Sequence, residues 1–162
     1  MQNNLARIQQ IYKILQKEVQ TYKVPVVELM RVQTKDPFKI LVTTILSART
    51  NDAITATAAK RLFGAVNTIN DLETISANEI EQLIFPVGFY KNKAKFLKEL
   101  PNAIKTRFGG NIPQTIDELI QIHGVGRKTA NLVVSVAFEK PAICVDIHVH
   151  RITNRIGMVK TQ

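Results

Sequence analysis

Two runs of apolar residues at helical spacing are interrupted by His123, Gly124, Val125 and Gly126. That interruption narrows the folds open to the chain more than any other feature. The first run is Ile116, Leu119, Ile120 and Ile122; the second, over residues 127–138, sets Ala130, Val133, Val134 and Ala137 on one face. Gly124 and Gly126 flank Val125, a spacing suited to a tight turn in which at least one residue takes positive φ and the backbone can approach a ligand closely. Val125 suits such a conformation poorly, so the glycines carry the turn. The second helix therefore begins at the turn, with its unpaired amides and positive dipole end pointing outward beside Arg127 and Lys128, an arrangement that fits a phosphate group. Taken alone, the same pattern also fits a plain helix–helix turn.

Helical spacing continues elsewhere. Leu5, Ile8, Tyr12, Leu15 and Val19 form one stripe over residues 5–22, Pro25 closes that helix, and a short helix is expected over 26–32. Asp36 and Pro37 suit a cap and a first helical position, and the apolar residues 38–48 predict a central, buried helix. Asn51 or Asp52 opens the next helix, expected to stop at Gly64, followed by shorter helices over 68–74 and 76–84, the latter with Ser76 and Glu79 in capping-box spacing. A turn at residues 86–90 leads to a helix over 91–108, ended by Gly109, Gly110 and Pro113, and Thr115 caps the first hairpin helix. No stretch alternates as a strand would and nothing repeats, so the fold is expected to be all-α.

A chain of 162 residues with 45% apolar content can build one good core or two small ones. Twenty-two Lys and Arg against thirteen acids give a net charge of +9, which favours a polyanionic partner. No apolar run approaches a membrane span and no export signal opens the chain, so the expected location is intracellular, cytoplasmic or nucleoid-associated. The lone Cys144 excludes an intrachain disulfide and an all-cysteine metal site, and His123, His148 and His150 lack the spacing of a metal cluster.

The run GVGRKTAN at residues 124–131, followed by VDIH at 145–148, resembles the helix-hairpin-helix DNA glycosylases, specifically the endonuclease III family. ILSARTND at 45–52 and VGFYKNKAKFL at 87–97 resemble two further motifs of that family, and the likeness spans about residues 37–156. It implies a six-helix barrel-like domain plus a reduced second helical layer. Residues 1–23 would supply that layer's N-terminal helix, 24–138 the barrel with its helix-hairpin-helix at 115–138, and 139–162 the loop bearing a catalytic aspartate and a shortened last helix.

The resemblance implies base-excision repair: removal of oxidised pyrimidines from double-stranded DNA, with abasic-site lyase activity through a lysine Schiff base. Lys128 would be the nucleophile and Asp146 the carboxylate, which also reads as an N-cap. A lysine of ordinary pKa near 10.4 is seldom neutral at pH 7, so partial burial, the helix dipole and Arg127 are expected to destabilise the Lys128 ammonium. Without the resemblance, Lys128 reads as one more phosphate-binding cation. Arg49 and Phe89 would enter the duplex, with Phe89 reading equally as a core aromatic. Tyr90, Lys91 and Lys93 would touch the DNA backbone, and His123, Gly124, Val125, Gly126, Arg127 and Thr129 would form the hairpin contact.

Three departures matter. Arg49 stands where the family often has glutamine, which alters expected opposite-base preference toward guanine acceptors; His123 stands where proline is common; and the chain stops at Gln162, without the family's C-terminal helices and cluster cysteines. No iron–sulfur cluster is expected and no other cofactor, although the hairpin could hold a monovalent cation. The stripe of the first helix would lack its usual cover, which implies self-association or a separate chain supplying the missing helices. Two other readings remain open: a non-catalytic DNA-binding module or the DNA-reading half of a split enzyme, and a monofunctional mismatch glycosylase, which the presence of Lys128 disfavours.

Overall fold

The computed structural model describes residues 2–22, 27 and 34–161. The helix expected over 26–32 lies outside the described residues, save Val27, which is buried. Among the described residues there is no strand, and no helix is long and apolar enough to cross a membrane. The chain divides into two compact units, Pro25–Cys144 and the smaller Met1–Val24 with Val145–Gln162.

The larger unit is built around α2 (Pro37–Ser47), whose residues from Phe38 to Leu46 are buried except Lys39. Asp36 caps it, accepting the Phe38 amide at 2.9 Å, with Pro37 at the first helical position. Around α2 stand α3 (Asp52–Ala65), α6 (Tyr90–Phe108) and α8 (Arg127–Phe138), each packed against it. The single-turn α4 (Asp71–Thr74) and the amphipathic α5 (Ala77–Ile84) fill in against α6. The one-turn α7 (Ile116–Leu119) leads into α8. Leu41, Leu46, Leu62, Leu72, Ile84, Leu97, Leu100 and Leu119 form one continuous core. Each such side chain is worth about 1.5–3 kcal/mol when fully withdrawn from water.

Two expectations are corrected here. The helix from Asn51 does not stop at Gly64 but runs to Ala65, because Gly64 keeps a right-handed backbone and does not form the left-handed C-cap. Over 68–74 only the last turn is helical, since the Asp71 carboxylate draws the chain into a turn by accepting the amides of Asn67 and Thr68. Those amides, with the Thr68 hydroxyl, hold the Asp71 carboxyl below the usual carboxylate range. The helix before the hairpin is a single turn, capped by Thr115 as expected.

Two lysines of α6 close helices that come before it. Lys98 Nζ donates to the carbonyls of Leu72, Glu73 and Ile75 at the end of α4. Lys93 Nζ donates to two carbonyls, Leu46 and Ala48, and to the Thr50 hydroxyl at the end of α2.

In the smaller unit, α1 (Gln2–Glu18) runs into a 3-10 turn, Val19–Thr21, and α9 (Ile147–Arg155) begins at Asp146. Thr161 closes back on α9, its amide donating to Asn154 Oδ1 at 2.9 Å and its hydroxyl 3.1 Å from His150 Nε2. No residue of α9 is buried, and Tyr12, Leu15 and Val19 on α1 and its following turn are all more than half exposed.

Candidate functional site

At the hairpin, Gly124 takes φ +84°, whereas Gly126 is extended at φ −89° and ψ 172°. A Cβ at Gly124 would lie 2.3 Å from Phe96 Cδ2, and one at Gly126 would meet nothing within 4 Å. Only the first glycine is therefore demanded by the fold. Val125 turns its side chain into the core, and its amide donates to the Ile122 carbonyl at 3.0 Å. Gly126 offers no side chain to cap α8, so the amides of that first turn are left to an outside acceptor. Arg127 and Lys128 are exposed and Thr129 is half-buried. The expected partial burial of Lys128 is thus corrected: at the second position of α8 its side chain leaves the hairpin toward solvent.

His123 is mostly exposed, but not idle. Its Nδ1 lies 2.8 Å from Glu99 Oε2, and its ring centroid is 4.3 Å from that of Phe96.

A second group gathers where the loop after α2 meets the turn before α6. Arg49 and Phe89 both take left-handed backbone, at φ 54° and φ 58°, and the Arg49 guanidinium stands 5.6 Å over the Phe89 ring. Non-glycine residues held there cost on the order of 1–3 kcal/mol each, and such strain concentrates at functional positions. Phe89 is 59% exposed, so the core-aromatic reading falls. The two loops are fastened together at Gly88. Its amide donates to Thr50 Oγ1 at 3.1 Å, and a Cβ on it would lie 2.5 Å from the Arg49 carbonyl oxygen. Tyr90 is half-buried with its ring edge-on to Phe85 at 5.3 Å, while Lys91 is exposed.

Lys93 requires a correction. Expected to touch the DNA backbone, it is instead buried, its ammonium donating to Leu46 O at 2.8 Å, Ala48 O at 2.6 Å and Thr50 Oγ1 at 3.3 Å. Its three hydrogens meet three oxygens, and burial pushes its pKa from 10.5 down to about 8.

The hairpin and the strained pair share a cavity of about 290 Å³ whose lining includes Arg49, Phe89, Asn92, Lys93, Phe96 and Gly124. Phe96, unnoticed in the sequence, is the packing link: it fills the space that Gly124 leaves and also faces this cavity. The one available signal was its place in the run VGFYKNKAKFL.

Asp146 belongs to the smaller unit and Lys128 to the larger. Asp146 Oδ1 accepts the amides of His148 at 3.0 Å and Val149 at 2.9 Å, making it the N-cap of α9. Among the described residues no three His, Cys, Asp or Glu side chains converge as a metal site would need.

Residues 42–162 match the family described as HhH-GPD superfamily base excision DNA repair protein. The chain is 44% identical over 127 residues to endonuclease III of Thermotoga maritima, an alignment that covers 78% of this chain and 60% of that relative. A solved non-covalent endonuclease III–DNA complex is 35% identical with a TM-score of 0.81, over 96% of this chain and 70% of that one. A trapped endonuclease III–DNA covalent intermediate is 42% identical with a TM-score of 0.72, over 77% and 59% of the two chains. The chain thus spans about 60% of the length of the first curated relative it matches.

Proposed function

The chain belongs to the HhH-GPD superfamily of base excision DNA repair proteins, and to the endonuclease III family within it, and on that premise we propose that it excises a damaged base from duplex DNA and then cleaves the strand at the abasic site. The observation that carries this reading is the single cavity shared by Gly124 of the hairpin and the strained, exposed Arg49 and Phe89. One element is suited to a phosphate and the other to entering a base stack, and a flipped nucleotide requires both at once.

Phosphates would lie against the first turn of α8, where Gly126 leaves the amides uncapped and Arg127 adds charge. Phe89 and Arg49 would fill the space that the extruded nucleotide leaves. The oxidised pyrimidine implied by the sequence resemblance is the proposed substrate. Lys128 Nζ gives its lone pair to C1′ of the deoxyribose, the C1′–N bond breaks, the base departs with the electrons of that broken bond, and the proton the amine sheds passes through solvent to the departing base. By the sequence resemblance the Asp146 carboxylate is the proposed counter-charge to the sugar's developing positive charge. Opening of the sugar gives the Schiff base. Loss of a C2′ proton then sends electrons toward C3′, and the 3′ phosphate leaves. A net charge of +9 supports strongly salt-dependent binding to duplex DNA.

The exposure of Tyr12, Leu15 and Val19 supports a covering partner, either a second copy or a chain contributing further helices. A monomer by sedimentation at high concentration, with no affinity for apolar dyes, would count against that part.

The deciding experiment is borohydride trapping on duplex DNA with one abasic site. A covalent complex is expected from the wild type and not from Lys128→Ala. Intact DNA binding without any adduct would move the chain to the binding-module reading, and an adduct from Lys128→Ala would unseat the nucleophile.

A further inference from the structure

We propose that Lys93 is a positioning residue for duplex entry, locking the loop after α2 to the first turn of α6 so that Arg49 and Phe89 are held in their left-handed conformations before DNA arrives. The inference rests on the glycosylase reading above. It goes beyond it by assigning work to a lysine whose ammonium is taken up by the protein's own oxygens.

Lys93 bonds Phe89 itself and the residues on either side of Arg49. Its backbone amide donates to the Phe89 carbonyl at 3.1 Å, and its ammonium donates to the Ala48 carbonyl, immediately before Arg49, at 2.6 Å. The third ammonium bond goes to Thr50 Oγ1, which also accepts the Gly88 amide, immediately before Phe89. Thr50 completes the arrangement by donating its own proton to Ala48 O at 3.3 Å. One hydroxyl therefore uses its donor and both acceptor sites, and each strained residue is tied on at least one side. Left to themselves, two exposed non-glycine residues at positive φ would relax toward right-handed or extended backbone. The bonds to Lys93 and Thr50 are what oppose that relaxation.

A helix cap alone would look different, and the same helix supplies the comparison. Lys98 also gives its ammonium to three carbonyls, at the end of α4, but the residues it closes have ordinary backbone and no strained side chain stands beside them. Lys98 can therefore serve as the purely structural control.

The test uses the 162-residue chain and a duplex with 2-aminopurine opposite a non-cleavable abasic analogue, whose fluorescence rises when the opposing base is unstacked by an entering side chain. Wild type and Lys98→Met are expected to give the full rise, Lys98→Met with a lower Tm. Lys93→Met and Thr50→Val are expected to give a rise about fivefold smaller, and Thr50→Ser to restore it. Excision of a damaged base should fall about tenfold in the two impaired variants, while cleavage of a pre-formed abasic site, which needs no base extrusion, should fall only about twofold. A full rise from Thr50→Val and Lys93→Met overturns the proposal, and so does an equal loss from Lys98→Met. If Lys93→Met does not fold, Thr50→Val with its serine rescue decides alone. A wild-type chain that gives neither the fluorescence rise nor a trapped adduct overturns both this proposal and the glycosylase reading, whereas a trapped adduct with full rises throughout overturns this proposal only.

Discussion

The C-terminal end of α2 and the N-terminal end of α8 each bring a lysine to backbone groups that lack helical partners, and the two ends treat it oppositely. At the end of α2 the free groups are carbonyls, so the Lys93 ammonium is drawn in and fully coordinated by Leu46, Ala48 and Thr50. At the start of α8 the free groups are amides, which offer an ammonium nothing to donate to. Lys128 accordingly stands exposed beside Arg127. A helix's carbonyl end draws a lysine into the fold, and its amide end leaves a lysine in solvent.

The largest effect that could break this contrast is the loss of Lys128. Lys128→Ala should lower abasic-site cleavage by about a thousandfold or more with duplex affinity little changed, as measured by single-turnover cleavage beside a binding titration. Next come the two hairpin glycines. Gly124→Ala forces positive φ on a side chain that also collides with Phe96, and should cost roughly 1–3 kcal/mol of stability and weaken DNA binding. Gly126→Ala should leave Tm nearly unchanged, so equal destabilisation by both would refute the assignment of the turn to Gly124. A smaller effect carries opposite signs in two assays. Phe89→Gly removes left-handed strain and should add about 1 kcal/mol of stability, while excision falls about tenfold; a variant that loses both is packed more tightly than its exposure implies.

The last effect is a dependence on pH. Burial holds Lys93 at about 8 in the folded chain against an ordinary 10.5, so across that window the unfolded chain binds more protons and stability rises with pH. Below the window both states are protonated and the contribution is flat. Denaturant titrations from pH 7 to 10.5 should show the rise in the wild type and lose it in Lys93→Met.

Helix starts were legible in the sequence because they are local. Asp36, Asn51, Ser76 with Glu79, Thr115 and Asp146 each cap where their spacing indicated, since a cap needs only a short polar side chain within three residues of the amides it serves. The hairpin was legible for the same reason, and α8 begins at Arg127 and ends at Phe138 as its periodicity indicated. What failed was whatever depended on distant partners. Lys93 and Lys91 look alike in YKNK, and only the approach of the α2 carbonyls, more than forty residues earlier, buries one of them. The exposure of Phe89 was equally hidden, because its left-handed backbone is fixed across the gap by Thr50 and Gly88. Resemblance to endonuclease III motifs singled out these stretches, yet a motif marks a neighbourhood and not which of its side chains faces outward.

One helix carries most of this arrangement. Along α6, Phe89 stands at the cap, Lys93 one turn in, and Phe96 against Gly124 nearly a turn later. These positions share a single rigid register, so their spacing matters as much as their identity. Inserting one residue between Phe89 and Phe96 would rotate everything on one side of it by about 100° and advance it about 1.5 Å. No local adjustment of side chains could absorb such a turn. Beyond Phe108 the exposed Gly109, Gly110 and Asn111 bear no such relation to the cavity, and there the same insertion meets only a loop. The segment from Phe89 to Phe96 therefore works as a gauge of fixed length, free to exchange many of its letters and unable to change their number.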